Sequence, residues 1–255
     1  MNIVAVIQAR LGSTRLPKKV LLPLEDRTVL EWVITRVKAS SFVNDIVVAT
    51  TLNKEDLEIV KLCSNIGIRV YCGSEDNVLD RYYQVAKLLK ADHVVRITAD
   101  CPLIDPRVID EIVDLHLKTC ADFTCNTIEV TYPDGEDTEI FKFEALCESW
   151  KNATQQVELE HVTPYVKNRP NIFNLVNLKY KQDLSKKRWT LDNKEDYRFM
   201  CLVFKNVYKG NPLFSMGEVL DFLDKNPDIE KINRHIVRNE AYLEQIEASK
   251  KSSDI

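Results

Sequence analysis

Four cations lie close together in a polar loop near the start of the chain. The loop follows the apolar run Ile3–Ile7, and no acidic residue occurs before Glu25. The whole chain is acidic, with a formal net charge of −4, so a local cationic cluster requires a local cause. At the carboxyl end of a strand in an α/β sheet, that cause is commonly a nucleotide phosphate. The four cations are Arg10, Arg15, Lys18 and Lys19.

The spacing within this loop differs from that of the common phosphate-binding loops. A Walker loop requires G-x-x-x-x-G-K-[ST] and a dinucleotide loop requires G-x-G-x-x-G, whereas Gly12 is the only glycine here. Ser13 and Thr14 add hydroxyl donors, the two arginines can each bind phosphate oxygens through a planar fork, and Lys19 acts as a mobile point charge. Such a set of cations suits a triphosphate better than a single phosphate. A solvated basic loop and a nucleic-acid patch remain the alternatives on spacing alone.

Two acidic residues follow predicted strands further along the chain. Asp100 comes after the strand predicted over His93–Thr98, and Asp192 comes after the strand predicted over Arg188–Leu191. The carboxyl ends of parallel strands share one edge of the sheet, where open α/β proteins place their sites. Mg²⁺ is typically held by one or two carboxylates together with substrate phosphates and water, so these aspartates fit a magnesium site. For Asp192, capping of the following helix is an equally good interpretation.

The loop resembles the signature loop of the sugar-acid cytidylyltransferases, which activate Kdo and N-acylneuraminate with CTP. The matching pattern is Q-A-R-x-G-S-T-R-L-P-x-K over residues 8–19. The chain most resembles the spore coat polysaccharide cytidylyltransferase-like family, and the resemblance extends to about Ile236. The further matching segments are GSEDNVLDR at 73–81, RITADCPLI at 96–104, EHVTPY at 160–165 and RWTLD at 188–192. These segments are specific for the family and much less specific for the sugar.

This resemblance implies a transfer of CMP from CTP to the hydroxyl of a sugar, expected to be a sugar acid, with release of pyrophosphate. In the resembling synthetases, aspartates at the positions of Asp100 and Asp192 bind Mg²⁺. We expect Arg15, Lys19 and Asp100 to be catalytic, because nucleotidyl transfer depends on positioning and charge neutralisation. As an exposed loop cation, Lys19 is expected to contribute little to stability. The predicted nucleotide-binding residues are Gln8, Arg10, Gly12, Ser13, Thr14, Arg15, Lys19, Ser74 and Thr98.

The predicted substrate-binding residues are Asp80, Arg81, Asp137, Glu139 and His161. Arg81 lies in a segment that resembles the nucleotide-base and substrate region of the family, although it could equally pair with a neighbouring acid. His161 could orient or deprotonate the acceptor hydroxyl, and a structural role is equally compatible with its pattern. Asp137 and Glu139 are two positions apart and share one face of a predicted strand. That face either binds sugar hydroxyls or is an exposed acidic surface.

The composition is that of one globular domain. With 255 residues and 45% hydrophobic content, the chain can bury one sizeable core. No apolar run reaches the roughly 18 residues of a membrane span, and no cationic leader precedes the first apolar run. Seven cysteines, an odd number without a C-x-x-C pair, argue against a disulfide framework and a structural zinc site. We therefore expect a cytoplasmic protein that binds neither nucleic acid nor membrane.

Strands and helices are predicted to alternate through the first half of the chain. Such repetition implies right-handed crossovers and a mainly parallel, Rossmann-like sheet in a three-layer α/β sandwich. The resemblance implies the same fold, that of the nucleotide-diphospho-sugar transferases. We expect one domain over residues 1–236, with an insertion around 126–180 that serves substrate binding and homodimer formation. Residues 237–255 are expected to form a polar tail.

The boundaries of the predicted elements follow from apolar periodicity and from capping patterns. Strands are predicted over residues 3–7, 45–50, 68–71, 93–98, 122–127, 137–143, 172–178 and 188–191. Helices are predicted over residues 28–39 and 76–89, and after Asp105, Glu144 and Asp192. Two further helices are predicted to open at capping patterns, which are Asn53 with Asp56 and Ser215 with Glu218.

Two other functions share parts of these patterns. A glycosyltransferase that uses a nucleotide sugar has the same sheet architecture, but it usually holds metal with an Asp-x-Asp pair after a central strand. Here Asp100 is followed by Cys101 and Pro102, so that pair is absent at this position. A non-catalytic nucleotide-binding protein is the second alternative, and the combination of an intact loop with two candidate metal ligands argues against it.

Overall fold

Strands and helices alternate along the first half of the chain, as predicted. The computed structural model describes residues 1–238 and 240. Its strands are β1 Ile3–Gln8, β2 Pro23–Leu24, β3 Arg27–Thr28, β4 Asp45–Thr51, β5 Arg69–Gly73, β6 His93–Thr98, β7 Phe123–Cys125, β8 Glu139–Lys142 and β9 Leu175–Asn177. Its α-helices are α1 Val29–Lys38, α2 Leu57–Asn65, α3 Val78–Leu88, α4 Pro106–Thr119, α5 Phe143–Asn152, α6 Gln156–His161, α7 Pro164–Lys167, α8 Lys194–Val207, α9 Met216–Lys225 and α10 Pro227–Glu230. Single 3₁₀ turns cover Lys19–Leu21 and Lys54–Asp56.

Seven strands form one mixed sheet in the order β5-β4-β1-β6-β8-β7-β9. The strands β5, β4, β1 and β6 are parallel to one another. Strand β8 is antiparallel to both β6 and β7, and β9 is parallel to β7. The carboxyl ends of β1, β4, β5 and β6 therefore lie along one edge of the sheet, which is where a ligand site is expected. Strands β2 and β3 form a separate short hairpin.

Helices cover both faces of this sheet. Val4 and Val6 of β1 pack into one apolar cluster, which lies beneath α3, α5, α6 and α7, while Ala5 and Ile7 pack into the other, beneath α1, α2, α4, α8 and α9. All four side chains are fully buried, which explains why β1 reads as a continuous apolar run instead of an alternating one. The predicted three-layer α/β sandwich is confirmed.

The capping pattern at Ser215 and the helix predicted after Asp105 are confirmed. The Ser215 hydroxyl accepts a hydrogen bond from the backbone N–H of Glu218, whose carboxylate in turn accepts from the N–H of Ser215, so a capping box begins α9. The Asp105 carboxylate accepts a hydrogen bond from the N–H of Arg107 at 2.9 Å and begins α4.

The other capping pattern, Asn53 with Asp56, is wrong. The side chain of Asn53 does not cap a helix; its amide donates to Glu75 Oε2 at 2.6 Å. The carboxylate of Asp56 accepts hydrogen bonds from the N–H of Leu11 at 2.7 Å and from the Thr51 hydroxyl. Asp56 is 1% exposed. Its role is tertiary, because it fixes the loop after β1 to the end of β4.

The strand predicted over Arg188–Leu191 is also wrong. The segment is extended, but it joins the structure through a single parallel bridge between Arg188 and Asp134. The N–H of Trp189 donates to the carbonyl of Asp134 at 2.6 Å, and the N–H of Leu191 donates to the carbonyl of Asp100 at 2.9 Å. The second of these bonds places residue 192 beside residue 100, at the carboxyl edge of the sheet, without any strand of its own.

Gly135 makes the close approach of this segment possible. Its φ is +113°, in the region that favours glycine, and a Cβ at this position would lie 2.5 Å from the carbonyl oxygen of Trp189. Neither the backbone angle nor the space admits a larger residue. The turn before β8 and the segment after residue 187 are therefore packed backbone against backbone.

The second half of the chain departs most from its predicted boundaries. The strands predicted over 122–127, 137–143 and 172–178 exist, but they are shorter, and α6, α7 and α10 are not predicted. The assignment of 126–180 to an insertion that forms a dimer stays a prediction. The tail predicted over 237–255 lies outside the described residues except for 237, 238 and 240. Within the described chain, every helix is too short or too polar to cross a membrane.

Candidate active site

A cavity of about 520 Å³ opens at the carboxyl ends of β1 and β6. Most of the residues predicted from the sequence to bind nucleotide, metal or substrate line it. They are Gln8, Arg10, Gly12, Ser13, Thr14, Arg15, Lys19, Arg81, Thr98, Asp100, His161 and Asp192. Tertiary structure thus joins five separate segments of the chain at one place.

The ammonium group of Lys19 connects the two predicted metal ligands. Lys19 Nζ lies 2.5 Å from Asp100 Oδ2 and 2.7 Å from Asp192 Oδ1. Only 13% of the lysine side chain is exposed, against 22% and 24% for the two aspartates. The expectation of an exposed loop cation is wrong for Lys19, because the 3₁₀ turn that begins there directs the side chain into the cavity.

The charges of this triad determine one another. Burial alone lowers the pKa of Lys19, but the carboxylates of Asp100 and Asp192 outweigh burial and hold this pKa above its ordinary value. Burial alone likewise raises the pKa of Asp100, and the Lys19 ammonium reverses the direction and lowers it. Lys19 and Asp100 are therefore both charged at neutral pH. The two acids exceed the single lysine by one charge, but Arg15 at 3.3 Å and Arg188 at 3.1 Å from Asp192 add two positive charges, so the site can admit an anionic ligand.

Asp192 is not a helix cap. Helix α8 begins at the capping box of Asn193 and Asp196, so the capping alternative for Asp192 is wrong. The buried Arg188 guanidinium donates to Asp192 Oδ2 at 3.1 Å and to both carboxylate oxygens of Asp196 at 2.9 and 3.0 Å. Arg188 therefore orients Asp192 from behind, and it leaves Oδ1 directed at Lys19.

The loop after β1 is anchored at both ends. The Asp56 carboxylate holds the N–H of Leu11, and Lys18 adopts a left-handed conformation, with φ of 55°, immediately before Lys19. Between these points Arg15 approaches Asp192 Oδ1 at 3.3 Å and Glu240 Oε2 at 3.0 Å. The loop thus presents its cations from a fixed frame, which reduces the reorganisation that ligand binding requires.

Arg10 closes the side of the cavity that lies towards β5. Its guanidinium is 3.1 Å from Glu75 Oε1 and 3.9 Å from Glu160 Oε1. Glu75 also accepts the amide of Asn53. Arg10 is nearly half exposed, so these contacts are weak and a phosphate can replace them.

Arg81 is a buried cation in the cavity wall with unused donors. The residue is 2% exposed, and within the described residues its Nε and Nη1 have no hydrogen-bond partner. Burial lowers its pKa. The backbone at Gly73 approaches the arginine so closely that a Cβ there would lie 2.8 Å from Arg81 Cγ. Two buried guanidinium nitrogens without partners are costly, so a ligand that accepts hydrogen bonds from this group would bind more tightly.

His161 reaches the cavity from the last position of α6. The chain turns sharply after it, because the N–H of Thr163 donates to the carbonyl of His161 at 2.8 Å around Val162, whose φ is 71°. This three-residue turn is strained for a β-branched residue, and such strain is common beside functional groups. Glu160, the preceding residue, lines the same cavity.

Ser74 and Asp80 lie outside the cavity lining, although both are predicted to bind ligand. The Ser74 hydroxyl accepts from the N–H of Asn77 at 3.2 Å. The Asp80 carboxylate accepts from Trp150 Nε1 at 2.8 Å and from Gln84 Nε2 at 2.9 Å. These contacts give both residues a structural role in this structure, and their ligand roles stay predictions.

Asp137 and Glu139 also lie outside the cavity lining, and both are paired with cations. Glu139 contacts Arg96 at 2.7 Å and Lys167 at 2.5 Å, and these cations overcome burial and lower its pKa to about 2. Asp137 pairs with Arg238. The alternative of an exposed acidic face is wrong, because Glu139 is 2% exposed. Sugar binding by the two acids stays a prediction.

The donor set fits a divalent cation bound together with a nucleotide. Asp100 and Asp192 converge on one cationic group, which shows that their oxygens can share a positive charge. The described residues contain no group of three acidic, histidine or cysteine side chains that could enclose a metal. Two carboxylates completed by phosphate oxygens and water are the usual coordination of Mg²⁺.

Comparison with known proteins agrees with this geometry. A family model described as Cytidylyltransferase matches residues 4–245. The chain belongs to the cytidylyltransferase family. This confirms the resemblance found in the sequence, and the protein is a CTP-dependent nucleotidyltransferase.

Relatives and a solved structure cover nearly the whole of this cytidylyltransferase. It is 41% identical over 246 residues to an uncharacterized protein of Methanocaldococcus jannaschii, with 96% of this chain and 99% of the relative covered. It is 33% identical over 234 residues to the spore coat polysaccharide biosynthesis protein SpsF of Bacillus subtilis, with 89% and 96% covered. A solved cytidylyltransferase structure from Leptospira borgpetersenii superposes with a TM-score of 0.86 at 34% identity, with 94% and 98% covered.

Several site residues of this cytidylyltransferase are absent from the sequence predictions. Arg188 and Glu160 lie inside the matching segments RWTLD and EHVTPY, so a signal existed for both. Asp56 follows β4 at the same edge of the sheet as the predicted site, which is also a usable signal. Glu240 carries none, because 225 positions separate it from Arg15.

Proposed function

We propose that this cytidylyltransferase transfers CMP from CTP to a hydroxyl group of a sugar acid and releases pyrophosphate. The observation that carries the proposal is the triad at the cavity floor, in which the Lys19 ammonium lies between the carboxylates of Asp100 and Asp192. A triphosphate requires both cationic groups and carboxylates that can share a metal. The similarity to a spore coat polysaccharide biosynthesis protein supports a role in building a surface polysaccharide.

The proposed reaction is an in-line displacement at the α-phosphorus of CTP. The acceptor oxygen forms a bond to phosphorus as the bond to the bridging oxygen of pyrophosphate breaks. Lys19 and Arg15 neutralise the charge that develops on the α-phosphate and on the leaving pyrophosphate. Arg10, Ser13 and Thr14 position the triphosphate along the loop. Arg10 leaves Glu75 to do so.

Mg²⁺ would be held by Asp100 and Asp192 and, when bound, would neutralise charge on the phosphates. The residues of the chain carry the remaining roles. Arg188 orients Asp192 through its hydrogen bond at 3.1 Å, and His161 orients the acceptor hydroxyl and accepts its proton. Lys19 moves from the carboxylates to a phosphate oxygen.

Selectivity for the nucleotide base is proposed to depend on Arg81. Cytosine offers two adjacent acceptors, O2 and N3, and the Arg81 guanidinium in the cavity wall is a rigid, planar group of donors, of which Nε and Nη1 have no partner within the described residues. Uracil carries a hydrogen on N3, so it cannot accept both. A site with buried donors left unpaired discriminates strongly against such an analogue.

Pyrophosphate release from each of the four ribonucleoside triphosphates, with Mg²⁺ and a panel of sugar acids and sugar phosphates, tests this function. We expect release from CTP alone, and only with an acceptor present. Equal rates with all four nucleotides would refute the role of Arg81. If pyrophosphate were released with a sugar phosphate and not with a sugar acid, the acceptor would be a sugar phosphate.

Binding gives a second test that does not need the acceptor. CTP with Mg²⁺ should raise the melting temperature more than the other three nucleotides, because a ligand of the folded state stabilises it. Arg81→Lys retains the charge but not the fork, so it should lose the preference for CTP while retaining a response to triphosphates. A preference for a nucleotide sugar over CTP would instead favour the glycosyltransferase. We retain the proposals of a homodimer and of no nucleic-acid partner.

A further inference from the structure

A second cavity, of about 270 Å³, is lined by Arg188, the residue that donates to Asp192 of the active site. It is enclosed by the extended segment 185–188, the turn at Asp134 and the segment 234–238. Asp134 is its one carboxylate among the described lining residues. Five lining residues are cationic, namely Lys186, Lys187, Arg188, Arg234 and Arg238. A cavity with so strong an excess of one charge attracts the opposite charge.

The positive charge of this cavity is only partly neutralised by the protein. Lys187 pairs with Glu230 at 2.6 Å. Within the described chain, Lys186 and Arg234 form no ion pair, and both are exposed to solvent. Arg238 Nε has no hydrogen-bond partner there either.

The single acid is already paired, because Asp134 Oδ2 accepts a hydrogen bond from Arg188 Nη1 at 3.2 Å. Asp134 Oδ1 lies 3.7 Å from Arg238 Nε, beyond hydrogen-bond distance. Burial, together with the nearby Asp137, raises the pKa of Asp134 to about 7, against the influence of two arginines. Lys187, Arg188 and Arg238 are thus paired with acids of the protein, and among the described residues the uncompensated positive charge of the cavity lies on Lys186 and Arg234.

The walls of the cavity are fixed by backbone hydrogen bonds. The N–H of Asp134 donates to the carbonyl of Lys187 at 2.9 Å, and Asn233 Nδ2 donates to the carbonyl of Arg188 at 3.0 Å. The requirement for glycine at position 135 holds the turn and the extended segment together. The donors are thus arranged before any ligand arrives, which lowers the entropy that binding costs.

We propose that this second cavity binds an anionic group of the phosphate or carboxylate class. Arg234 and Lys186 supply exposed, unpaired charge, and Arg238, whose Nε has no hydrogen-bond partner within the described residues, lines the wall. Arg188 lines this cavity and also donates to Asp192 Oδ2 at 3.1 Å, so one guanidinium connects it to the reaction centre. The anion has two possible sources, which are the acceptor itself and a separate small molecule.

Inorganic phosphate is the probe for the binding test. Its dissociation constant would be measured by calorimetry at constant ionic strength, without nucleotide, for the wild-type chain and for Lys186→Ala/Arg234→Ala. We expect the variant to bind about tenfold more weakly, since two charge-assisted contacts are lost. The matched control is Lys179→Ala/Lys181→Ala, which removes the same charge from exposed positions outside both cavities and should change binding by less than about twofold.

Three results would overturn the proposal. The first is that the wild-type chain binds no phosphate. The second is that both double variants weaken phosphate binding equally, and the third is that neither variant weakens it. Equal weakening would indicate general attraction by net charge, and no weakening would place phosphate at the nucleotide loop. All substituted side chains are exposed, so the folded state is retained, and a thermal melt of each variant verifies this.

The source of the anion is decided by kinetics, and this part rests on the proposed function. If the anion belongs to the acceptor, Lys186→Ala/Arg234→Ala raises the KM of the acceptor and leaves that of CTP unchanged. If it is a separate molecule, added phosphate changes the rate of the wild-type enzyme and not that of the variant. The calorimetric result does not depend on turnover, so failure of the proposed reaction and failure of this site are distinguishable.

Discussion

Replacing Lys19 by Met tests the central triad most directly. Met retains the length and packing of the side chain but removes the ammonium that lies 2.5 Å from Asp100 and 2.7 Å from Asp192. The two carboxylates then face each other without their shared cation, although Asp192 retains Arg15 and Arg188. Removing one partner of a buried ion pair costs about 3–5 kcal/mol, and partial exposure of these carboxylates reduces the expected loss to about 2–3 kcal/mol.

The dependence on pH and metal distinguishes this cause from ordinary loss of packing. In the wild-type chain the pKa of Asp100 lies below its ordinary value of 3.8, so its contribution to stability is present above that pH and is lost as pH falls through the lowered pKa. In Lys19→Met, burial instead raises this pKa, so stability rises as pH falls towards it. Mg²⁺ replaces the missing positive charge and should stabilise the variant more than the wild type.

Urea denaturation with EDTA or with magnesium chloride, at neutral and acidic pH, measures these effects. Lys18→Met is the matched control, because Lys18 is 53% exposed and, among the described residues, forms an ion pair with Glu58 alone, so its loss should cost less than about 0.5 kcal/mol. The turnover of Lys19→Met should fall by about 10²- to 10³-fold. Equal urea midpoints and equal responses to Mg²⁺ in Lys19→Met and Lys18→Met would refute the stabilising role of the triad.

Three further predictions follow from other contacts. Asp192→Asn should lower turnover by about 10²-fold with little change in stability. Asn193→Ala should instead cost about 1 kcal/mol of stability and retain activity. If kinetics and melting showed the loss of stability in Asp192→Asn and the loss of turnover in Asn193→Ala, Asp192 would be the cap. In urea denaturation, Gly135→Ala should lower the free energy of unfolding by about 3 kcal/mol, because its Cβ would lie 2.5 Å from a carbonyl oxygen. The control Gly67→Ala, at a φ of +70° and with open space around the Cβ, should lower it by about 1 kcal/mol. Equal losses in the two variants would contradict this prediction. Burial, and then the neighbouring His93, lower the pKa of His116 to about 3. The free energy of unfolding should therefore fall as pH drops below 6.5, by about 2 kcal/mol near pH 5. His116→Gln should remove this pH dependence.

The sequence was a good guide wherever the structural cause is local. The strand His93–Thr98 has the predicted bounds, because a run of buried β-branched residues has few other uses. Ser215 and Glu218 form the predicted capping box, since its two hydrogen bonds span only three positions. The loop of residues 8–19 was identified for the same reason, because its cations are close together in the chain.

Prediction failed where the partner of a residue is distant. Asp56 lies near a helix start, which favours capping, but the N–H of Leu11 is its actual partner. Asp192 precedes a helix, yet Lys19 and Arg188 hold it. The strand predicted over 188–191 satisfies local propensity, but the chain there finds only one bridge. In each case the local interaction predicted from the sequence is absent, and a contact with a residue distant in the chain takes its place.

The sequence by itself determined the elements and the chemistry available to this protein. Apolar periodicity specified the parallel sheet, and the cationic loop with two aspartates specified a nucleotide site. Only the tertiary structure decided which charges meet. It placed Lys19 between acids that lie 81 and 173 positions away, and it left Arg81 buried without hydrogen-bond partners for two of its nitrogens within the described chain. Charges act through distance in space, and folding alone converts separation along the chain into that distance.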